Sequence, residues 1–196
     1  PAAAVVGENG AFYFRYDRAH RVMKRTFADD AATRARNRKR LEAIAAEIVR
    51  AVPGCAVAAD QAYRETDLAI DYREDVAPLA RAAVDRIVEL MQARGLTAKV
   101  SSIHVNGWFG SYDKLAMTRN LMREAFGVDP EQERAAYAFV GDSPNDAPMF
   151  AFFPNSIGVA NVREFEGRLA HEPRYVTRAA AGAGFREVVD CILAAR

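Results

Sequence analysis

Two cysteines in 196 residues, Cys55 and Cys191, are too few for a disulfide-stapled scaffold, and their wide separation is no metal-ligand spacing. A structural zinc site is therefore not expected. A long apolar run is also missing. Nothing approaches the roughly 18 to 20 residues that span a bilayer, and the opening Pro1-Ala-Ala-Ala-Val-Val6 lacks the basic stretch of a signal peptide. Together these absences predict a soluble, reduced, cytoplasmic protein with no membrane partner. Nor does one sign of charge prevail: Lys plus Arg number 27 against 26 Asp plus Glu. No overall field draws in nucleic acid, so any partner is recognised locally. Finally, no Gly-x-Gly-x-x-Gly follows the opening apolar run, which removes the usual dinucleotide fingerprint. The late Ala181-Gly-Ala-Gly184 starts a helix and reads as a turn.

What is present is a 51% apolar chain, enough for one sizeable core or two small ones. The run Ala2 to Val6 reads as a strand entering the turn Gly7-Glu-Asn-Gly10, as though the chain began inside a strand. Residues 12 to 27 alternate aromatic or apolar with charged side chains and predict a hairpin turning near Asp17 to Arg21. Apolar positions three and four residues apart predict a helix from Ala31 to Val52, capped by Asp29 or Asp30. Its stretch Arg34-Ala-Arg-Asn-Arg-Lys-Arg40 reads as a solvated face rather than a nucleic-acid patch, since no aromatic is interleaved. Strands are expected at Cys55 to Ala58, Leu68 to Tyr72 and Thr97 to Val105, with a helix from Pro78 to Arg94 ended by Gly95. That is an α+β module.

After Gly107 the texture changes. Helices Lys114 to Phe126, Pro148 to Phe153, Arg163 to Ala170 and Gly184 to Ala195 alternate with strands Tyr137 to Val140, Ile157 to Ala160 and Tyr175 to Thr177. Such alternation predicts a parallel sheet with helices on its faces.

The sharpest chemical signal is Ala138-Phe-Val-Gly-Asp-Ser-Pro-Asn-Asp146. An apolar strand ends in Gly141, carboxylates follow at 142 and 146, and a helix begins where Ser143 caps and Pro144 takes the first turn. Both acids then sit at the carboxyl end of a parallel strand, where open α/β sheets bind ligands. Hard oxygens beside a helix N-terminus suit Mg2+ and a phosphate together. The same residue types are also good turn formers. A calcium loop fails, because the sixth and twelfth positions from Asp142 are Ala147 and Phe153, not Gly and Glu. Lys114 opens the preceding helix, against the helix macrodipole, which suggests an anionic neighbour.

Gly141-Asp-Ser-Pro-Asn-Asp146, Lys114 upstream and Gly7-Glu-Asn-Gly-Ala11 resemble the haloacid-dehalogenase superfamily. The likeness is greatest to class IIB, the Cof-type and sucrose-phosphatase-like hydrolases whose cap domain is inserted in the core. The resemblance implies a Rossmann-like α/β core at residues 1–12 and 105–196 and an α+β cap at 13–104. It implies Asp142 as a direct Mg2+ ligand, Asp146 as a direct or water-mediated one, Lys114 bridging the phosphoryl group and a nucleophilic aspartate, and Asn145 positioning either. The family pattern usually follows that lysine with Gly, whereas Leu115 stands here. The family attacks phosphorus with the first Asp of an Asp-x-Asp motif, and this sequence contains none. The expectation is therefore a segment of roughly 40 to 60 residues preceding Pro1 that carries it, about one and a half βαβ units.

Substrate clues lie in Tyr63-Arg-Glu-Thr-Asp67, where Arg64, Glu65 and Asp67 are candidates for the hydroxyls or a second anion of a substrate. A salt-bridged surface turn is the competing reading of that string. The expected activity is Mg2+-dependent hydrolysis of a small phosphorylated metabolite, a sugar phosphate by resemblance, through an aspartyl-phosphate. A phosphomutase on the same scaffold and a non-catalytic binding module are the alternatives. Strand edges left open by a missing segment could pair two copies into a homo-oligomer.

Overall fold

The computed structural model describes residues 2–195, which divide into two compact units, up to Thr118 and from Arg119 onward. The first unit opens with strand β1 (Val5–Gly7), a 3-10 turn (Glu8–Gly10), and the hairpin β2 (Phe12–Asp17) and β3 (Val22–Phe27). The opening run is hydrogen-bonded antiparallel to β2, as the outer strand of a three-stranded sheet β1-β2-β3. The turn at Glu8–Gly10 reverses the chain after only three strand residues, and that leaves β2 as the nearest ladder partner.

Helix α1 (Ala31–Ala51) follows, with Asp30 as its N-cap accepting from the Thr33 N–H at 2.7 Å. Its arginines remain near water, yet their stems and planes pack. Arg34 lies 3.7 Å over Phe27, Arg40 3.6 Å over Phe109, and Arg38 donates to the Arg64 carbonyl at 3.0 Å. Then come β4 (Ala56–Val57), a 3-10 turn at Gln61–Tyr63, β5 (Asp67–Asp71), α2 (Arg81–Ala93), β6 (Thr97–Val100) and β7 (His104–Trp108). The strands form an antiparallel sheet in the order β4-β5-β7-β6.

The single strand expected over Thr97 to Val105 is two. Ser101 accepts the His104 N–H at its hydroxyl and donates that hydroxyl to the His104 carbonyl, so the chain folds back between β6 and β7. Leu68, Ile70 and Val105 point from this sheet onto Leu41, Ile44, Ile48, Ile87 and Met91 of the two helices, which together form the core of the unit. The other side of the same strands carries Asp67, Asp71, His104, Asn106 and Trp108, all buried.

Helix α3 (Lys114–Phe126) runs across the division between the units. The second unit continues with α4 (Pro130–Glu133), β8 (Ala138–Gly141), a 3-10 turn (Pro144–Asp146), α5 (Ala147–Phe152), β9 (Asn155–Gly158), β10 (Tyr175–Val176) and α6 (Ala181–Ala194). The strands run parallel in the order β10-β9-β8, as the alternation of strands and helices requires. Phe139 of β8 packs on Phe150 and Phe153, at centroid separations of 5.5 and 6.2 Å. The helix expected from Arg163 to Ala170 is a 3-10 segment, Ala160–Phe165. It buries Val162 and Phe165 and stops before Gly167 at φ 71°.

Candidate functional site

In the second unit, the backbone leaves β8 at Gly141 and enters a turn that gathers Asp142, Ser143, Asn145 and Asp146. The Asp146 N–H bonds the Ser143 carbonyl at 3.0 Å, which curls the carboxylate back so that it accepts the Asp142 N–H at 2.9 Å. Gly141 is the residue that permits this, because a Cβ there would lie 2.6 Å from the Asp146 Oδ2. The Asp142 carboxylate accepts from the Ser143 hydroxyl at 3.2 Å and from Asn161 Nδ2 at 3.3 Å.

Ser143 was expected to cap the following helix. Its hydroxyl instead donates within the turn, to Asp142 and at 2.9 Å to Asn145 Oδ1, and makes no cap hydrogen bond. Asp146 and Ser143 are nearly fully buried at 3% and 2% exposure, so the turn is a fixed structure rather than a loose loop.

Sequence reasoning missed Asn161. Its Oδ1 accepts the Ala181 N–H at 3.0 Å while its Nδ2 donates to Asp142, tying the start of α6 to the acid. The only sequence signal for it is an Asn immediately past a strand end. Lys114 opens α3 as expected. It stands in the first unit and the acids in the second.

Among the described residues no group of three His, Cys, Asp or Glu side chains gathers to hold a metal. A zinc-type cage is thus not offered. Mg2+ asks for less: commonly one or two carboxylates, with waters and substrate oxygens completing its shell. Asp142 and Asp146, all-oxygen donors one turn apart and steadied by Ser143 and Asn161, fit that demand.

The first unit holds the other candidates, around a clamp that the sequence did not reveal. Glu8 and Asn9, at φ 43° and 56°, lie in the left-handed region, and Gly10 follows at 103°. From this turn the Glu8 carboxylate accepts the N–H groups of Glu65 and Thr66 at 2.8 and 2.6 Å and the Thr66 hydroxyl. Asn9 donates to Asp67 at 3.1 Å. Arg64 meets Asp60 through Nε and Nη2 at 2.9 and 3.0 Å, and Asp67 through Nη1 at 3.1 and 3.2 Å. Glu65 pairs with Arg25.

Burial pushes Asp67 up to about 6, against the pull of Arg64, and the nearby Glu8 charge adds to the rise. Burial works against the Arg64 charge too, but hydrogen bonds and charge from Asp60 and Asp67 prevail and raise it. Asp60 is held low by its Arg64 hydrogen bonds. Burial also raises Tyr112, which shares a hydrogen bond with Thr66. Arg64, Glu65 and Asp67 thus come together, with their polar groups engaged inside the unit. His104 is buried in β7 with Nε2 2.8 Å from a Glu74 carboxylate oxygen, an ion-pair distance without hydrogen-bond alignment.

No family profile and no curated protein matches the sequence. Solved structures resemble it in fold: the chain shares the Rossmann-like α/β fold seen in haloacid-dehalogenase-superfamily proteins. The sucrose-phosphatase of Synechocystis sp. PCC6803, solved with sucrose and phosphate, aligns at a TM-score of 0.63 with 15% identity, over 97% of this chain and 74% of that one. A sugar phosphatase of the superfamily's subclass IIB aligns at 0.59 with 10% identity, over 97% and 75%. A trehalose-6-phosphate phosphatase related protein aligns at 0.56 with 14% identity, over 96% and 71%. At these identities the likeness is one of fold. Among the described residues no helix is long and apolar enough to cross a membrane.

Proposed function

We propose that this chain is the larger part of a Mg2+-dependent phosphatase acting on a small phosphorylated metabolite, with sugar phosphates as the substrate class. The observation that carries the reading is the turn after β8, where two carboxylates four residues apart are fixed at the carboxyl end of a parallel strand. The fold shared with sugar phosphatases supports it.

Asp142 and Asp146 would hold the metal, which when bound supplies charge neutralisation to the phosphate oxygens. Lys114 would supply a second positive charge between the phosphoryl group and the attacking carboxylate. Asn145 would orient one of these groups through its side-chain amide. The chain has no Asp-x-Asp, so the attacking aspartate and its acid–base partner are assigned to a segment outside these 196 residues. The aspartate would attack phosphorus as the P–O bond to the sugar breaks, its acid–base partner protonating the leaving oxygen, and water would then hydrolyse the aspartyl-phosphate to release inorganic phosphate. Residues 13–104 would act as the cap, with Arg64 and Glu65 towards the leaving sugar and the buried Asp67 fixing Arg64 in place.

The test compares the 196-residue chain with a longer form carrying the preceding segment, each given Mg2+ and a panel of sugar phosphates. Inorganic phosphate from the longer form alone is the expected result. Robust turnover by the verified 196-residue chain would overturn the assignment of the nucleophile, and a sugar-phosphate isomer formed without free phosphate would make the protein a mutase.

A further inference from the structure

Asn161 lies just past β9, in the 3-10 segment Ala160–Phe165, and the chain fixes its backbone from two sides. The Val159 N–H bonds the Gly141 carbonyl at 3.0 Å, which ties the end of β9 to the residue before Asp142. The Ala160 N–H bonds the Ala179 carbonyl at 3.1 Å and the Thr177 N–H bonds the Gly158 carbonyl at 2.9 Å, which tie the same stretch to the loop between β10 and α6. Gly158 permits the close turn into the 3-10 segment, because a Cβ there would lie 2.7 Å from Val162 Cγ1. Held in this way, the Asn161 side chain reaches two places at once: Nδ2 donates to Asp142 Oδ2 at 3.3 Å, and Oδ1 accepts the Ala181 N–H at 3.0 Å. Ala181 opens α6 at φ 48°, a left-handed conformation that a non-glycine residue keeps only where its surroundings impose it. The Asn161 hydrogen bond to its N–H is one such constraint.

We propose that Asn161 is a positioning residue for the strand-end acids: its side-chain amide holds the Asp142 carboxylate in the orientation that meets a cation, and couples that orientation to the turn that opens α6. The inference rests on the cation site assigned to Asp142 and Asp146 under the proposed function. The side-chain type fits the role. An amide donates at one end and accepts at the other, so it can serve a carboxylate and a backbone N–H together. An acid in its place would repel Asp142, and a lysine would offer the Ala181 N–H no acceptor and set a full charge against the cation. The placement fits as well. The Ser143 hydroxyl meets Oδ1 of Asp142 and Asn161 meets Oδ2, so donors on both oxygens fix the plane of the carboxylate. A carboxylate oxygen accepts at two lone-pair sites, so these donors orient the group without excluding a cation. A partner that holds a metal-binding side chain from behind sets affinity through it.

A titration with Mg2+ alone, without substrate, tests it on the longer form that carries the preceding segment. The readout is the pair of backbone amide resonances of Asp142 and Ala181, followed by NMR. In the wild type both should shift along one Mg2+ binding curve, because Asn161 joins them. In Asn161→Ala the Asp142 resonance should need about 10-fold more Mg2+, and the Ala181 resonance should no longer respond. Circular dichroism confirms that the variant folds. A merely structural loss would loosen the turn but would not part the two responses. Should Asn161→Ala fail to fold, Asp142→Asn tests the link from the other end and should silence Ala181 towards Mg2+. Equal Mg2+ curves at Asp142 in wild type and Asn161→Ala would overturn the proposal and leave the phosphatase reading standing, as would an Ala181 response that survives Asp142→Asn. A wild type in which neither resonance responds to Mg2+ would overturn both, since there would be no cation for Asp142 to meet.

Discussion

The molecule fixes acids in two different ways. In the second unit near neighbours help organise the Asp142 and Asp146 carboxylates: the Asp142 N–H, the Ser143 hydroxyl and the space left by Gly141, with Asn161 as a more distant donor. In the first unit the Glu8 carboxylate is organised across the chain, by partners 57 and 58 residues away, and Asp67 joins a donor 58 residues away, Asn9, to its near neighbour Arg64. The first arrangement is a local turn that offers two acids. The second is a tertiary clamp that consumes them. An acid whose hydrogen bonds are made over such a separation serves the geometry of the unit before it serves a ligand.

The largest effect that would break or sharpen this contrast comes from the clamp's hinge. Gly10 adopts φ 103°, and a Cβ there would sit 2.0 Å from the Asp113 carbonyl oxygen, a backbone atom that cannot swing aside. Gly10→Ala should therefore destabilise the first unit by about 4 kcal/mol, combining left-handed strain with overpacking. Trp108, the single tryptophan, is buried in that unit and reports on it alone in a urea titration. A midpoint unmoved by Gly10→Ala would mean that the turn at Glu8–Gly10 is not held as described.

Next in size is Asp142→Asn in a longer form that turns over. Losing one of two hard, charged ligands should lower Mg2+-dependent phosphate release about 100-fold, equivalent to about 3 kcal/mol. Turnover and Mg2+ dependence near those of the wild type would reduce Asp142 to a turn residue and erase the functional side of the comparison.

How far each arrangement was legible follows from the same separation in sequence. The strand-end acids, the helix opening at Lys114 and the α1 cap at Asp30 could be read because their determinants lie within a few residues of one another. Glu8 could not be read as a clamp, since nothing near it specifies that Thr66 will arrive there. Asn161 was hidden for the same reason, its partners being 19 and 20 residues off. The break between β6 and β7 was missed because it depends on a Ser101 side chain bonding His104 inside an otherwise strand-like run. The antiparallel pairing of β1 depends on a reversal through two non-glycine residues at positive φ, which sequence patterns rarely announce.

Asp67 gives a smaller and pH-dependent effect. Its pKa is raised by burial from an ordinary 3.8 to about 6, so the folded state holds the proton more firmly than the unfolded chain does. Stability tied to this group is fully present below pH 3.8 and is lost as pH rises through about 6. Asp67→Asn mimics the protonated form and keeps an oxygen for the Asn9 and Arg64 contacts. The Trp108-monitored stability of wild type minus variant should fall by roughly 2 to 3 kcal/mol between pH 4 and 7. A flat difference across that range would mean that Arg64 compensates the buried charge fully, making Asp67 an ordinary paired acid.

The smallest effect tests the local turn. Ser143 is 2% exposed, and its hydroxyl donates to Asp142 Oδ1 and Asn145 Oδ1. Ser143→Ala replaces that hydroxyl by hydrogen within almost the same space. The Asp142 carboxylate is not orphaned at full cost, because it keeps the Asn161 hydrogen bond on its other oxygen. The loss should be about 1 kcal/mol and confined to the turn, since the backbone bonds from Asp146 to Ser143 and from Asp142 to Asp146 remain. Hydrogen exchange at the Asp142 amide, whose proton is held by the Asp146 carboxylate, should quicken about 5-fold, the equivalent of that energy. Exchange at Trp108 in the other unit should not change. An acceleration of about 100-fold would mean that one hydroxyl holds the whole turn, so that the acids of the second unit are as dependent on a single contact network as those of the clamp, and the contrast between the two would fail.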